Sequence, residues 1–379
     1  CALPISTLRS VFLWQGELSV PLQAVLRRGP AVAQLHDARG LSQQALDEWA
    51  NAERVQGFDL TRLPLQRGQL LRLDATRCRM IWTFHHILLD GWSSARLIGE
   101  VLQHYAGERP LAPRSQYRDY IAWLGAQDGR AAQTYWQARL ATMEGPTLLA
   151  ESLPARDTQG LGDAIGHGVI RSGLSVADSQ RLRQFARRQR VTLNTLVQGA
   201  WALLLQTYTG QSPVAFGATV AGRPSALDDA EAVVGLFINT VPVIAGGDAG
   251  QGVGDWLREL QTQSAEAGEF EHTPLADIQR WAGLSGQSLF DSLLVFENYP
   301  VDHAMRQRSG VHIEASSTLE ATHYPLSLAI FAGETLDITF GYRRDAFATA
   351  RVEALAGHLN SLLLGLIADA HRPLAAISL

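Results

Sequence analysis

The 379-residue sequence contains no lysine; all 32 of its basic residues are arginine. That absence excludes Schiff-base lysines, pyridoxal-phosphate lysines and the phosphate-binding lysine of a P-loop. Cysteine is almost missing as well. Only Cys1 and Cys78 occur, and no Asn-x-Ser/Thr sequon is present, so neither a disulfide framework nor a cysteine-rich zinc site can be built, and a reducing, cytoplasmic setting is expected. No apolar run approaches the roughly 18 to 20 residues needed to span a bilayer, and no charged-then-apolar leader opens the chain. Against 32 basic residues stand 37 acidic ones, a net charge of −5. No general cationic field exists to hold nucleic acid or an anionic membrane. The start on Cys1 rather than Met, and the abrupt close Arg372-Pro373-Leu374-Ala375-Ala376-Ile377-Ser378-Leu379, lead us to expect a piece of a longer polypeptide.

What is present is apolar material: 46% of the residues are hydrophobic and only 18% charged. At about 150 residues per domain this length predicts two lobes. Short strand candidates at Ser10–Trp14 and Leu22–Leu26 precede a helical pattern from Ser42 to Arg54, in which Leu46, Trp49 and Ala50 share a face. Leu70–Leu73 and Arg79–His86 read as a hairpin joined by Asp74–Arg77. After Asp90-Gly91, Ser93 or Ser94 is the expected cap of a helix carrying the apolar stripe Leu97, Ile98, Val101, Leu102 and Tyr105, stopped by Gly107. Helices follow at Tyr117–Gln127 and Ala131–Leu140. Periodicity then fails between Ala141 and Gly168, which sets the expected organisation: an N-terminal lobe over residues 1–145, a connection over 146–168, and a C-terminal lobe over 169–379. That lobe opens with helices near Val176–Arg190 and from Thr192 or Asn194 to Tyr208, then a strand Val214–Val220. The whole is α/β, of the α+β kind.

The strongest local signal is His85-His86-Ile87-Leu88-Leu89-Asp90-Gly91. Four specified residues in seven arise by chance in a chain of this length on the order of a few times in a thousand. Consecutive strand residues face opposite ways, so one histidine works in a site and the other packs. The same geometry disfavours a shared metal ion, since no nearby Cys or Glu completes a tetrahedral set, and no metal is expected. Asp90 either orients an imidazole or locks the turn by pairing with an arginine. Gly91 suits a close backbone approach or a positive φ.

His85-His86-x-x-x-Asp90-Gly91 resembles the active-site motif of nonribosomal peptide synthetase condensation domains, within the chloramphenicol-acetyltransferase-like acyltransferases. Other segments agree in order. Leu8-Arg9-Ser10-x-Phe12 is similar to the end of the family's Arg-His-x-x-Leu-Arg-Thr-x-Phe segment. Tyr117-Arg118-Asp119-Tyr120-Ile121-Ala122-Trp123 resembles its Tyr-x-Asp-Tyr-x-x-Trp motif, and Gly222-Arg223-Pro224 its Gly-Arg-Pro turn. Val234-Gly235-Leu236-Phe237-Ile238-Asn239-Thr240 is similar to its Ile-Gly-x-Phe-Val-Asn-Thr motif, and Leu289-Phe290-Asp291 through Phe296-Glu297-Asn298-Tyr299-Pro300 to its late strand. The family's opening strand, first helix and first signature segment have no counterpart, so the resemblance is to an N-terminally truncated member.

The resemblance implies two acetyltransferase-like lobes in a V-shaped pseudo-dimer, with His86 catalytic at their junction. His85, Asp90, Gly91, Trp92 and Arg9 would belong to the motif or support it, with Arg9 the expected partner of Asp90. Phe237, Asn239 and Arg223 would border the substrate tunnel. Donor and acceptor peptidyl carrier proteins would bring their substrates on 4′-phosphopantetheine arms, with an adenylation domain following the chain and no cofactor bound by the domain itself. The product would be an amide. Two other readings compete: a stand-alone acyltransferase using coenzyme-A thioesters, and a non-catalytic module that docks carrier proteins.

Weaker features have plainer explanations. Tyr117, Tyr120 and Trp123 are read as core packing. The glycine-rich Gly246–Gly254 stretch is read as a mobile loop. Arg181, Arg183, Arg187, Arg188 and Arg190 are read as a solvated helix face, with docking of an acidic carrier as the sharper alternative.

Overall fold

The computed structural model describes residues 5–16, 18, 20–30, 32–108, 114–153, 166–297, 310–314 and 322–378. Asn298, Tyr299 and Pro300, which complete the late-strand match, lie outside the described residues, as does part of the expected connection. Two compact units emerge. One comprises the described residues of Cys1–Ala126, Arg223–Phe237 and Tyr299–Ala315, the other those of Gln127–Gly222, Ile238–Asn298 and Ser316–Leu379.

The first unit contains strands β1 (Ser10–Leu13), β2 (Leu22–Val25), β3 (Ala33–Asp37), β4 (Gln66–Arg72) and β5 (Cys78–Phe84), and helices α1 (Gln43–Val55), α2 (Gly91–Tyr105) and α3 (Tyr117–Gly125). β1 and β2 form a separate antiparallel ribbon, while β3, β4 and β5 form a sheet, parallel then antiparallel. Helix α1 starts where the pattern predicts because the Ser42 hydroxyl accepts the Ala45 N–H. Its Leu46 joins Ala38 and Leu71 in a small core, with Trp49, Leu73 and Ile81 packed against it. The opposite face is covered at one end, where Trp82 and Phe84 pack against Leu8, Leu65, Leu88, Leu89, Leu97 and Val234, and bare at the other: Leu35, Leu70 and Met80 lie in register across the three strands and are 69%, 39% and 55% exposed.

Strand β4 begins four residues before the predicted Leu70. Its early buried side chains are Gln66 on one face and Gln69 on the other, which hides any apolar alternation; their amides are satisfied by Trp82 and Glu53 respectively. The α2 stripe also needs correcting. Leu97 is buried, but Ile98, Val101 and Tyr105 are exposed, Tyr105 by 74%.

The second unit is built on a six-stranded sheet in the order β6-β11-β10-β9-β7-β8. Its strands are β6 (His167–Gly173), β7 (Val214–Val220), β8 (Asn239–Ala245), β9 (Ser292–Glu297), β10 (Leu326–Ala332) and β11 (Leu336–Arg343). Neighbours run antiparallel except β9, which is parallel to both β7 and β10. Its helices are α4 (Gly129–Leu140), α5 (Leu149–Ser152), α6 (Val176–Gln189), α7 (Leu193–Thr209), α8 (Val253–Gly268), α9 (Leu275–Trp281) and α10 (Thr349–Leu366).

Alternation along the strands feeds two cores. Val214, Phe216 and Leu294 join the side chains of α6, α7, α8 and α10, while Ala215 and Leu293 join Trp136 of α4 and Ile278 of α9. Helix α7 is buried continuously from Thr195 to Leu205. Such an all-round apolar helix belongs inside a core. The Gly246–Gly254 segment, expected to be mobile, is tied down: the Trp256 indole N–H donates to Gly246 O at 2.7 Å, and the backbone N–H groups of Val253 and Leu374 donate to the carbonyls of Arg372 and Gln251. No helix among the described residues is long and apolar enough to cross a membrane.

Candidate active site

Strand β5 ends at Phe84, one residue before the histidine pair, so both histidines ride on the turn that leads into α2. The turn is closed by Leu88 N–H to His85 O at 3.1 Å and Leu89 N–H to His86 O at 3.3 Å. Because the strand has already ended, its two-residue alternation does not govern them. The two rings nonetheless face different surroundings.

His85 is half-buried. Its Nδ1 accepts the Ile87 N–H at 3.1 Å, which fixes it as the neutral ring with the proton on Nε2. Burial and the neighbouring His86 push its pKa below the ordinary imidazole value. His86 is exposed, with the Phe84 ring 6.4 Å from its own between centroids. Its imidazole is thus accessible to solvent.

Asp90 is buried to 1% exposure and does three things at once. Its Oδ1 accepts the Ser93 N–H at 2.7 Å, capping α2. Its Oδ2 accepts the Phe237 N–H at 3.1 Å. Both oxygens receive Arg223 Nη2, at 3.0 and 3.1 Å. The cap of α2 is therefore Asp90, not Ser93 or Ser94. A carboxylate at a helix N-terminus is favoured by the macrodipole, and a buried one requires a cationic partner.

That partner is Arg223, not Arg9. Arg9 instead donates to the carbonyl of Leu26 across the β1–β2 ribbon. The motif order suggests the wrong arginine, whereas the fold brings in one 133 residues away. Arg223 also donates to Ala230 O, to Val233 O at 3.0 Å and to Ser93 Oγ at 2.9 Å, and stacks 4.1 Å over the Phe237 ring. Burial pulls its pKa below the usual guanidinium value, with Asp90 opposing.

Gly91 is the first residue of α2 and is not among the positive-φ glycines of the described residues. Trp92 donates its indole N–H to Glu231 O at 2.9 Å. Phe237 is fully buried against Tyr117 and Tyr120, and Tyr117 donates its hydroxyl to Leu236 O at 2.7 Å, with burial raising its pKa. The aromatic triad of α3 is thus packing, as expected. Asn239 lies in the second unit, where Nδ2 donates to Glu271 O at 2.8 Å and Thr273 O at 2.6 Å.

Ser93 is the member that the sequence pattern undervalues. Its hydroxyl donates to Gly235 O at 2.7 Å and accepts from Gly235 N at 3.1 Å. Gly235 in turn has no room for a side chain, since an added Cβ would sit 2.1 Å from Tyr117 Cδ2. Residues 222–240, visible in the sequence as two separate motifs, therefore supply the segment 223–237 as the wall behind the His85–Gly91 turn. Only the long-range contact reveals this.

Residues 5–379 match the family model described as Condensation domain. A linear gramicidin synthase polypeptide of Brevibacillus parabrevis is 38% identical over 98% of this chain, which spans 7% of that protein's length. A structure of the first condensation domain of the calcium-dependent antibiotic synthetase, in complex with a substrate analogue, superposes with a TM-score of 0.76 at 18% identity, covering 100% of this chain and 88% of the other. A four-domain nonribosomal peptide synthetase bound to AMP and glycine matches with a TM-score of 0.78 at 17% identity over 99% of this chain and 30% of the other. The chain belongs to the condensation-domain family of nonribosomal peptide synthetases, whose members are amide-forming acyltransferases. The structural matches agree with the mixed helix-and-sheet, acetyltransferase-like fold expected from the sequence.

Proposed function

We propose that this chain transfers an acyl or peptidyl group from a donor thioester to the amine of an acceptor, both held on phosphopantetheine arms of carrier proteins, with His86 as the working side chain. The observation that carries this reading is the exposed His86 imidazole on a turn whose other polar residues, His85 and Asp90, are already engaged in holding the backbone. The amine nitrogen attacks the thioester carbonyl, a tetrahedral oxyanion forms, and its collapse makes the C–N bond and breaks the C–S bond. The proton lost by nitrogen ends on the departing thiolate or in solvent.

An imidazole is suited to carry that proton near neutral pH, where general-base catalysis supplies about 10² to 10⁴-fold. Yet an α-amine has a reference pKa of about 7.7 to 8.0, so much of it is neutral without help. Orienting two tethered reactants is worth more, since effective molarities reach about 10⁵ M or above. His86 therefore acts mainly by positioning the amine or the tetrahedral intermediate. An adenylation domain following in the same polypeptide and a cytoplasmic location complete the reading.

Rate against pH for wild type and His86→Ala, with carrier-bound donor and acceptor, tests it. A loss of about 10²-fold or more at every pH is expected. Loss confined to one limb of the profile would make His86 the base instead, and equal turnover of a soluble coenzyme-A thioester would overturn carrier delivery.

A further inference from the structure

Behind the histidine turn lies a connected set of side chains that the transfer reaction has not yet used. Arg67, on β4, is held by three bonds: Nε to Glu53 Oε2 at 3.0 Å, Nη2 to Glu53 O at 2.8 Å, and Nη1 to Gly57 O at 2.9 Å. Glu53 is buried on α1, and its other oxygen accepts from Gln69 Nε2 at 3.1 Å. Gln69 Oε1 in turn meets His36 Nε2 at 2.5 Å. The guanidinium thus pins the end of α1 and the Gly57 turn to the sheet.

The residue after that turn is Phe58. Arg67 Cζ lies 4.2 Å over its ring, and the Phe58 ring meets His85 in a T-shaped arrangement, centroids 6.4 Å apart and planes at 82°. Aromatic pairs prefer this edge-to-face geometry, and a cation over a ring face adds to it. The chain of contact runs from Glu53 through Arg67 and Phe58 to His85, whose Nδ1 holds the Ile87 N–H and so shapes the turn on which His86 is displayed.

We propose that Arg67 and Phe58 are positioning residues: together they lock the His85 ring in the orientation and tautomer that accept the Ile87 N–H, and thereby set where His86 points. The inference rests on the reading of His86 as the working histidine. Burial of His85 supports it, since the same packing that orients the ring also holds it neutral. A protonated Nδ1 would have no lone pair left for the turn.

Two variants test this on the 379-residue chain. Phe58→Leu keeps an apolar side chain and removes the ring, and Arg67→Gln removes the stacked cation. The direct readout is the ¹⁵N NMR signature of the His85 ring. Wild type is expected to show a single neutral form protonated on Nε2, and both variants a mixture of tautomers. Transfer between carrier-bound substrates should fall about tenfold in kcat with KM within about twofold, as for a displaced catalytic group. Combining Phe58→Leu with His85→Asn should bring little loss beyond His85→Asn alone. Should Arg67→Gln fail to fold, Phe58→Leu alone decides. Wild-type tautomer and rate in Phe58→Leu, while His86→Ala is inactive, would overturn the positioning role and leave His86 standing. Full activity of His86→Ala would overturn the reading of His86, yet tautomer mixing in the variants would still show the lock on His85.

Discussion

The two units solve the same problem differently. In the second, a six-stranded sheet is covered on both faces and α7 disappears into the core for eleven successive residues, Thr195 to Leu205. The first has a three-stranded sheet with a small core on one face and Leu35, Leu70 and Met80 uncovered on the other. Yet it is the sparsely packed unit that carries the His85–Gly91 motif. Its Leu88 and Leu89 are sealed in an apolar core with Leu8, Leu65, Leu97 and Val234, while its polar ends are fixed by directional bonds of Asp90, Ser93, Arg223 and Gly235. Apolar burial fixes volume, and hydrogen bonds fix angle. A site that must aim an imidazole needs the second kind.

Substitutions can break this contrast. Trp201→Ala, deep in α7, should destabilise the second unit by about 3 to 5 kcal/mol through the cavity it leaves. Chemical denaturation should then show that unit unfolding earlier, with the Asp90 turn intact in the remaining folded protein. Arg223→Met should cost a similar amount, about 3 to 5 kcal/mol, because it strands a buried carboxylate. Here activity should be lost together with stability, and retention of both would mean that apolar packing alone holds the turn.

A smaller effect is expected from pH. The folded pKa of His85 lies below its unfolded value, so below about pH 6.5 the unfolded chain takes up a proton that the folded ring resists. Stability should therefore drop between about pH 7.5 and about 5.5, and by more in wild type than in His85→Asn. Thermal melts of the two proteins at both pH values give the comparison. Buried Asp291, in the second unit, has its carboxyl pKa raised by burial, and it should act in the opposite direction as pH falls through that raised value towards 3.8. Smallest of all is Leu35→Ser on the bare sheet face, expected within about 0.5 kcal/mol. A larger destabilisation would show that this face is covered in solution.

Structure is readable from the sequence wherever its causes are local. The helix starts at Ser42 and Thr192, the helix from Val176 and the strand Val214–Val220 all depend on residues within a few positions of one another, whereas the histidine pair, read as the end of a strand, sits on a turn held from positions 223–237. The early part of β4 is not readable, because its buried positions are glutamines paired across the fold. The stripe on α2 is visible but misleading, since periodicity reports an apolar face and not what covers it. Arg223 stands out as a motif residue, yet its motif says nothing of its duty. No spacing rule links position 223 to position 90, and only the folded chain brings a guanidinium to that carboxylate.

The triple engagement of Asp90 makes it and Arg223 a single unit to substitution. Replacing it alone leaves Arg223 charged inside protein, and replacing Arg223 alone leaves Asp90 so, while the first change also removes the acceptor that holds the start of α2 and the Phe237 N–H. An apolar exchange of both residues together therefore strands no charge, whereas either exchange alone strands one.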